Sequence, residues 1–165
     1  MLPALRFRSG QVQLQRWPVA SETVIEPGDL VYFDGTSIKP ASSFPWTTNL
    51  VTTQTNFAAA FVGVAHQASA AGQNAPVSVD ISPLATYEYA VSSGNYTVGQ
   101  TIAVHGAPSA LSKQQLAPSV STAAMARAAE SVSSATTLRV NFASAYSVAS
   151  SNIHAQLGPI PASEA

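Results

Sequence analysis

Alternating hydrophobic and polar positions predict a β-hairpin between Phe61 and Ser82. In residues 61–67, successive side chains fall on opposite sides of an extended chain. A loop of small residues, 68–76, follows, and Val77, Val79 and Ile81 then alternate with polar residues. Two segments of period two around a loop containing Gly, Asn and Pro are typical of an antiparallel hairpin.

A second stretch, residues 124–144, repeats this design near the other end of the chain. The composition of residues 123–130 alone favours a helix, but their parallel with residues 63–67 favours a strand. Two similar hairpins far apart in sequence predict a β-barrel or sandwich that each half helps to close. We expect the core to include Val62, Val64, Val77, Val79, Ile81, Leu138, Val140 and Phe142.

Turn residues divide the rest of the chain. Residues 24–35 predict a Pro-Gly turn, a short strand and an Asp-Gly turn, with a second strand at residues 37–41. Asp29 and Asp34 lie beside turn glycines, where aspartate accepts hydrogen bonds from the local backbone, so we expect turn chemistry there and not a metal site.

The remaining segments are predicted from their composition. Residues 42–56 are polar and indicate a loop, residues 86–91 and 96–104 indicate strands separated by a turn at 92–95, and residues 105–121 indicate a long loop.

Composition narrows the class of protein. Charged residues make up only 9% of the chain, against roughly 25% in an average soluble domain, which suits a surface held inside a larger assembly. A net charge of −1 gives no general attraction to nucleic acid, and no apolar run is long enough to cross a membrane. We therefore expect a single all-β domain, of barrel or sandwich type, at residues 21–150. An N-terminal arm, residues 1–20, and a loose C-terminal tail, residues 151–165, flank it.

The arm concentrates candidate partner-binding residues. Three of the seven basic residues lie in it, and it has no acidic residue. One interpretation is a flexible or edge-strand terminus. The other is an arm that is poorly ordered in the free protein and docks on a partner, since Trp and Arg carry much of the energy of interfaces. The candidate residues are Arg6, Phe7, Arg8, Leu14, Arg16 and Trp17.

No catalytic motif is present. The sequence has no phosphate-binding glycine loop, nucleophile elbow, HExxH pattern or calcium loop, and it has no cysteine. His66 lies on a predicted strand without a second ligand at a suitable spacing, so a structural role is expected. We interpret the protein as a non-enzyme, with no catalytic, cofactor-binding or metal-binding residues.

Four phrases, in this order, resemble the small capsid decoration (cement) proteins of tailed phages. They are residues 24–31, 61–65, 96–104, and 125–130 with 138–140. The resemblance spans about residues 22–143. It implies a mainly β protein, made in the host cytoplasm, that lies on the outer surface of the virion head. There it would bridge subunits of the major capsid protein as a homo-oligomer, often a trimer. The long arm, residues 42–56 and residues 105–121 depart from the family's pattern.

Two other functions remain open at this stage. The first is a receptor- or glycan-binding β module of a virion, such as a head fibre or tail-associated domain. It would use surface aromatic residues, with Trp46, Tyr87, Tyr89 and Tyr96 as candidates. The second is a small hydrolase with a Ser/His/Asp site assembled around His66 or His105.

Overall fold

The first two strands of the chain, β1 (Phe7–Gly10) and β2 (Leu14–Trp17), join different sheets. They belong to a computed structural model that describes residues 4–147. Residues 7–17 of the arm therefore hold two edge strands, and the expectation that the arm lacks fixed structure in the free protein is wrong for these residues. Each strand pairs with an inner strand of the body, which supplies the backbone hydrogen bonds that an isolated arm would lack.

Strand β2 belongs to a sheet with four strands that follow it: β3 (Leu30–Phe33), β4 (Ile38–Pro40), β5 (Phe61–Ala65) and β6 (Val77–Asp80). This sheet is antiparallel, in the order β2-β6-β5-β3-β4. The predicted hairpin is confirmed, with Val64 opposite Asp80 and Ala65 opposite Val79. Every residue of β5 is buried, because both faces of this sheet are covered.

The second half of the chain forms a closed barrel. Its strands are β7 (Ala85–Tyr96), β8 (Thr101–Ala107), β9 (Ala110–Pro118), β10 (Ala126–Ala128) and β11 (Val132–Phe142). The sheet order is β1-β7-β11-β10-β8-β9, and a parallel pairing of β7 with β9 closes the last five strands, leaving β1 outside. The second predicted hairpin is confirmed, and residues 126–128 are strand.

Residues 42–56 do not form the predicted loop. A short 3-10 helix at Ala41–Ser43 is followed by helix α1, Leu50–Ala60, which runs directly into β5. The side chain of Asn49 accepts a hydrogen bond from the Thr52 amide and caps the helix. Threonine has a weak helix propensity, so the helix depends on burial of Phe57 and its neighbours against the core.

Two further boundaries differ from the prediction. Residues 92–95 do not form the predicted turn but lie inside β7. The pairing of β7 with β11 shifts register on either side of the Ala135–Gly94 pair. The turn instead falls at residues 97–100. Residues 105–121 are not a loop, because β8 continues to Ala107 and β9 follows. The polar sequence of β9 is held as a strand because it pairs with β8 on one side and β7 on the other.

All eight predicted core residues are buried. One apolar cluster joins the inner face of the first sheet, helix α1 and the barrel, with Val64, Phe57 and Leu138 as members. A smaller cluster covers the other face of the first sheet and contains Val62 and Val79. The predicted tail, residues 151–165, lies outside the described residues. Within the described part, no helix is long and apolar enough to cross a membrane.

Candidate partner-binding surface

The arm lies with its backbone directly against the body at two glycines. A Cβ atom on Gly10 would stand 2.0 Å from the carbonyl oxygen of Leu84, and one on Gly28 would stand 2.2 Å from that of Ala4. Both glycines have positive φ angles, 93° and 91°, which other residues rarely adopt. The Ala4 amide also donates to Oε1 of Gln114 on β9, at 3.1 Å. The arm is therefore seated by its backbone, which leaves its side chains available.

A buried carboxylate fastens the middle of the arm. Oδ1 of Asp80 accepts hydrogen bonds from the amides of Gln13, at 2.8 Å, and Ser82, at 2.9 Å. Oδ2 accepts from the hydroxyl of Tyr87, at 2.6 Å. Because that hydroxyl has a single proton, Nε2 of His66, 2.6 Å from the same oxygen, is the donor in their hydrogen bond. His66, Tyr87 and Asp80 thus form one chain of hydrogen bonds beneath the arm.

Burial and neighbouring groups set the protonation states of His66 and Tyr87. Burial lowers the pKa of His66, although the charge of Asp80 acts in the opposite direction. Burial, together with the hydrogen bond to Asp80, raises the pKa of Tyr87 far above its ordinary value. The imidazole is therefore neutral and the phenol protonated near pH 7. The expected structural role of His66 is consistent with this contact, which ties β5 to the barrel strand β7.

The three arm arginines lie on two different sheets. Nη2 of Arg8 forms an ion pair with Oε1 of Glu88 at 2.8 Å, and the backbone oxygen of Arg6 accepts from the Glu88 amide at 3.0 Å. Nη2 of Arg16 donates to the carbonyl of Pro76 at 2.8 Å. The fold therefore brings Arg6 and Arg8 together beside β7 and places Arg16 apart, beside β6.

The apolar candidates differ in exposure. Phe7 is 39% exposed and contacts the ring of Tyr87 edge to face, while Leu14 is 50% exposed. Trp17 is half-buried, with ring centroids 5.3 Å from Phe33 and 5.1 Å from Tyr146. Phe7 and Leu14 are thus available to a partner, whereas Trp17 mainly packs within the chain.

Sequence analysis missed two residues of the same surface. Leu5 on the arm is 37% exposed, and Leu84, whose carbonyl accepts from the Gln11 amide, is 62% exposed. Val12, an apolar residue of the arm that the sequence does indicate as an anchor, is 36% exposed. Leu5 could have been found from the same recurrence of apolar residues along the arm. Leu84 could not, because only the fold places the turn before β7 beside Gly10 and Gln11.

The other proposed sites do not assemble as expected. Tyr87, Tyr89 and Tyr96 are at most 3% exposed, so the assumption that they are surface aromatics of a glycan site is wrong. Nδ1 of His105 lies 3.2 Å from Oγ of Ser112. His66 reaches a carboxylate, that of Asp80, through the hydroxyl of Tyr87 and not through a serine. The same residues contain no group of three or more His, Cys, Asp or Glu placed to hold a metal.

The two turn aspartates behave as predicted, and one does more. Oδ1 of Asp34 accepts from the amides of Thr36 and Ser37. Oδ2 of Asp29 accepts from the Glu26 amide at 2.9 Å, and its Oδ1 accepts from Nε2 of Gln114 at 2.8 Å. Asp29 is fully buried, and burial raises its pKa. Gln114 therefore links this turn to the Ala4 amide of the arm.

These features define an all-β protein, with one open sheet and one closed barrel joined by a polar contact beneath an N-terminal arm. No protein-family model matches the chain, and a search of curated proteins finds no match either.

Proposed function

We propose that the protein is a capsid decoration, or cement, protein, which binds the outer surface of a phage head and stabilises contacts between major capsid protein subunits. One observation carries the proposal. Of the ten exposed large hydrophobic side chains among residues 4–147, four lie on the arm between residues 5 and 14, and Leu84 lies beside it. Exposed apolar side chains gathered on a single segment favour a protein–protein contact.

The way the arm is held supports a binding role. The buried carboxylate of Asp80 and the two close glycine contacts hold its backbone before any partner arrives. A surface that is already ordered loses little conformational entropy on binding, so more of the contact energy is available as affinity.

The composition and the order of the sequence phrases support the same role. A chain with 9% charged residues presents a weakly charged surface, which suits burial between neighbouring subunits in a lattice. In this proposal the protein is made in the host cytoplasm and acts in the virion as a homo-oligomer, a trimer by resemblance. Its partner is the major capsid protein, and neither nucleic acid nor membrane takes part.

The experiment uses heads of the phage that encodes the chain. Quantitative mass spectrometry of purified particles should find the protein in a fixed ratio to the major capsid protein. After the protein is stripped from the heads, recombinant protein should rebind. Leu14→Ser should bind about four- to tenfold more weakly, since burying a whole leucine is worth about 1.5–3 kcal/mol and Leu14 is 50% exposed before binding.

Val98→Ser is the matched control, because Val98 is 61% exposed but lies in the turn between β7 and β8, away from the arm. It should rebind like the parent. Absence of the protein from particles, or equal binding by the two variants, would refute the proposal.

A further inference from the structure

Basic side chains from the arm and from β11 surround one carboxylate on the outer face of the barrel sheet. Glu88 on β7 lies opposite Arg139 on β11 and is ion-paired with Arg8 on β1. Its amide donates to the backbone of Arg6. Tyr87 and Tyr89, on either side of Glu88, are buried, so Glu88 points to the other face. We name Arg6, Arg8, Glu88 and Arg139 the Glu88 cluster.

The guanidinium groups of the cluster have more donors than the chain can satisfy. Each guanidinium has five N–H donors, whereas a carboxylate offers about four lone-pair sites. In the described part of the chain, the guanidinium of Arg8 makes one hydrogen bond, to Glu88, and those of Arg6 and Arg139 make none. The three cations nonetheless lie close enough to lower the pKa of Glu88, with the Arg8 hydrogen bond as the largest cause.

The cluster adds little to the stability of the fold. The side chain of Arg8 is 45% exposed, and exposed ion pairs contribute only about 0–1 kcal/mol. Both lysines elsewhere lie against carboxylates: Lys39 pairs with Asp34, and Lys113 with Glu26 and Asp29. The Glu88 cluster instead has three guanidinium groups around one carboxylate, with the carboxylate of Glu130 bound to the backbone amide of Arg139, in a chain whose net charge is −1.

We propose that the Glu88 cluster is an interaction surface for an acidic protein surface, whose carboxylates take the free guanidinium donors. Arginine suits this role because its planar fork binds carboxylates through two parallel hydrogen bonds. The cluster would thereby fix which side of the molecule faces its partner. This inference rests on the proposed function in taking the major capsid protein as the partner.

The neighbouring side chains favour a protein over a nucleic acid. Leu5 and Phe7, both exposed, alternate with Arg6 and Arg8 along the arm, so they lie on the opposite side of the extended chain from the guanidinium groups. Strand β1 lies at the edge of its sheet, so a partner that packs along this edge contacts both sides, and a protein surface offers it carboxylates and apolar groups together. A phosphate backbone offers no apolar counterpart to Leu5 and Phe7, and the net charge of the chain would oppose its approach.

The test compares variants with the same change of charge. Arg139→Glu alters the cluster, and Arg127→Glu is the control, because Arg127 is also exposed but lies on β10. If circular dichroism shows that Arg139→Glu does not fold, Arg139→Gln replaces it, because glutamine is uncharged and does not repel Glu88. Glu88→Gln tests whether positive charge at the cluster favours binding, because it removes the carboxylate of the chain that competes with the partner for the guanidinium groups.

Binding of each variant is measured on stripped heads at several salt concentrations. Arg139→Glu should bind at least tenfold more weakly and with less dependence on salt, Arg127→Glu within twofold of the parent, and Glu88→Gln more tightly than the parent. Equal loss in the Arg139 and Arg127 variants, or weaker binding by Glu88→Gln, would overturn the inference even though the parent decorates heads.

A second probe does not need heads. Soluble polyglutamate should bind the parent protein more tightly than it binds Arg139→Gln, and duplex DNA of equal charge should bind more weakly than polyglutamate. If the parent fails to bind heads, the proposed function fails, and the polyglutamate result still decides the chemistry of the cluster. Preference for DNA, or no difference between the parent and Arg139→Gln, would overturn the inference.

Discussion

Replacing Tyr87 with phenylalanine should test the polar contact beneath the arm. The hydroxyl donates to Asp80 and accepts from His66, so Tyr87→Phe removes two hydrogen bonds and leaves Oδ2 of a buried carboxylate without this donor. A hydrogen bond to a charged group is worth about 1.5–3 kcal/mol and a neutral one about 1 kcal/mol. We expect unfolding to become about 2–4 kcal/mol easier, a large part of the roughly 5–15 kcal/mol typical of a domain.

Tyr89→Phe is a matched control on the same strand. Tyr89 is as buried as Tyr87, at 1% exposure, but its hydroxyl donates only to the neutral carbonyl of Gly28. This change should cost about 1–2 kcal/mol. Both values come from urea titrations followed by circular dichroism at pH 7.5, provided the two variants share the parent's m-value. If Tyr87→Phe costs no more than Tyr89→Phe, the carboxylate does not contribute as argued.

Three further outcomes can be measured on the same protein. Burial lowers the pKa of His66 below its unfolded value of 6.5, so the unfolded chain binds more protons than the folded chain as the pH falls through 6.5. The free energy of unfolding should therefore drop from pH 7 toward pH 5, and His66→Asn should make the urea midpoint less dependent on pH. Val140→Asp puts an unpaired carboxylate at a fully buried site and should abolish the cooperative thermal transition; retention of the parent melting curve would contradict this. Asn49→Ala removes the cap of α1 and should cost about 0.5–2 kcal/mol in urea titrations, whereas the exposed Val51→Ala should cost less.

The hairpins and the core could be predicted because their patterns are local. Val77, Val79 and Ile81 alternate with polar residues, and a one-residue slip would have put all of them on the wrong face. The turn at Asp34 could be predicted equally well, since Asp-Gly between two strands strongly favours a tight turn. Such features depend on a few consecutive residues, so a single sequence is enough to identify them.

The missed elements depend on distant partners. Residues 110–118 are polar and lie between prolines, and they form β9 only because β7 and β8 are available on either side. Helix α1 is rich in threonine and has no strong apolar stripe, and its one local signal was the capping Asn49. The Glu88 cluster could be predicted only in part. The sequence indicates Arg6 and Arg8 as binding residues, but Arg139 lies near them only because β7 pairs with β11.

The division of β1 and β2 between two sheets has a consequence for synthesis of the chain on the ribosome. Strands β2 to β6 end at Asp80, so the open sheet can assemble from the first half of the chain alone. Strand β1 is made before all of these strands, yet β7, with which it pairs in the described part of the chain, begins at Ala85, and the barrel cannot close until β9 and β11 have followed. Contacts between such distant segments slow folding. Strand β1 therefore leaves the ribosome well before it can be placed, and until then its apolar side chains remain open to chaperones.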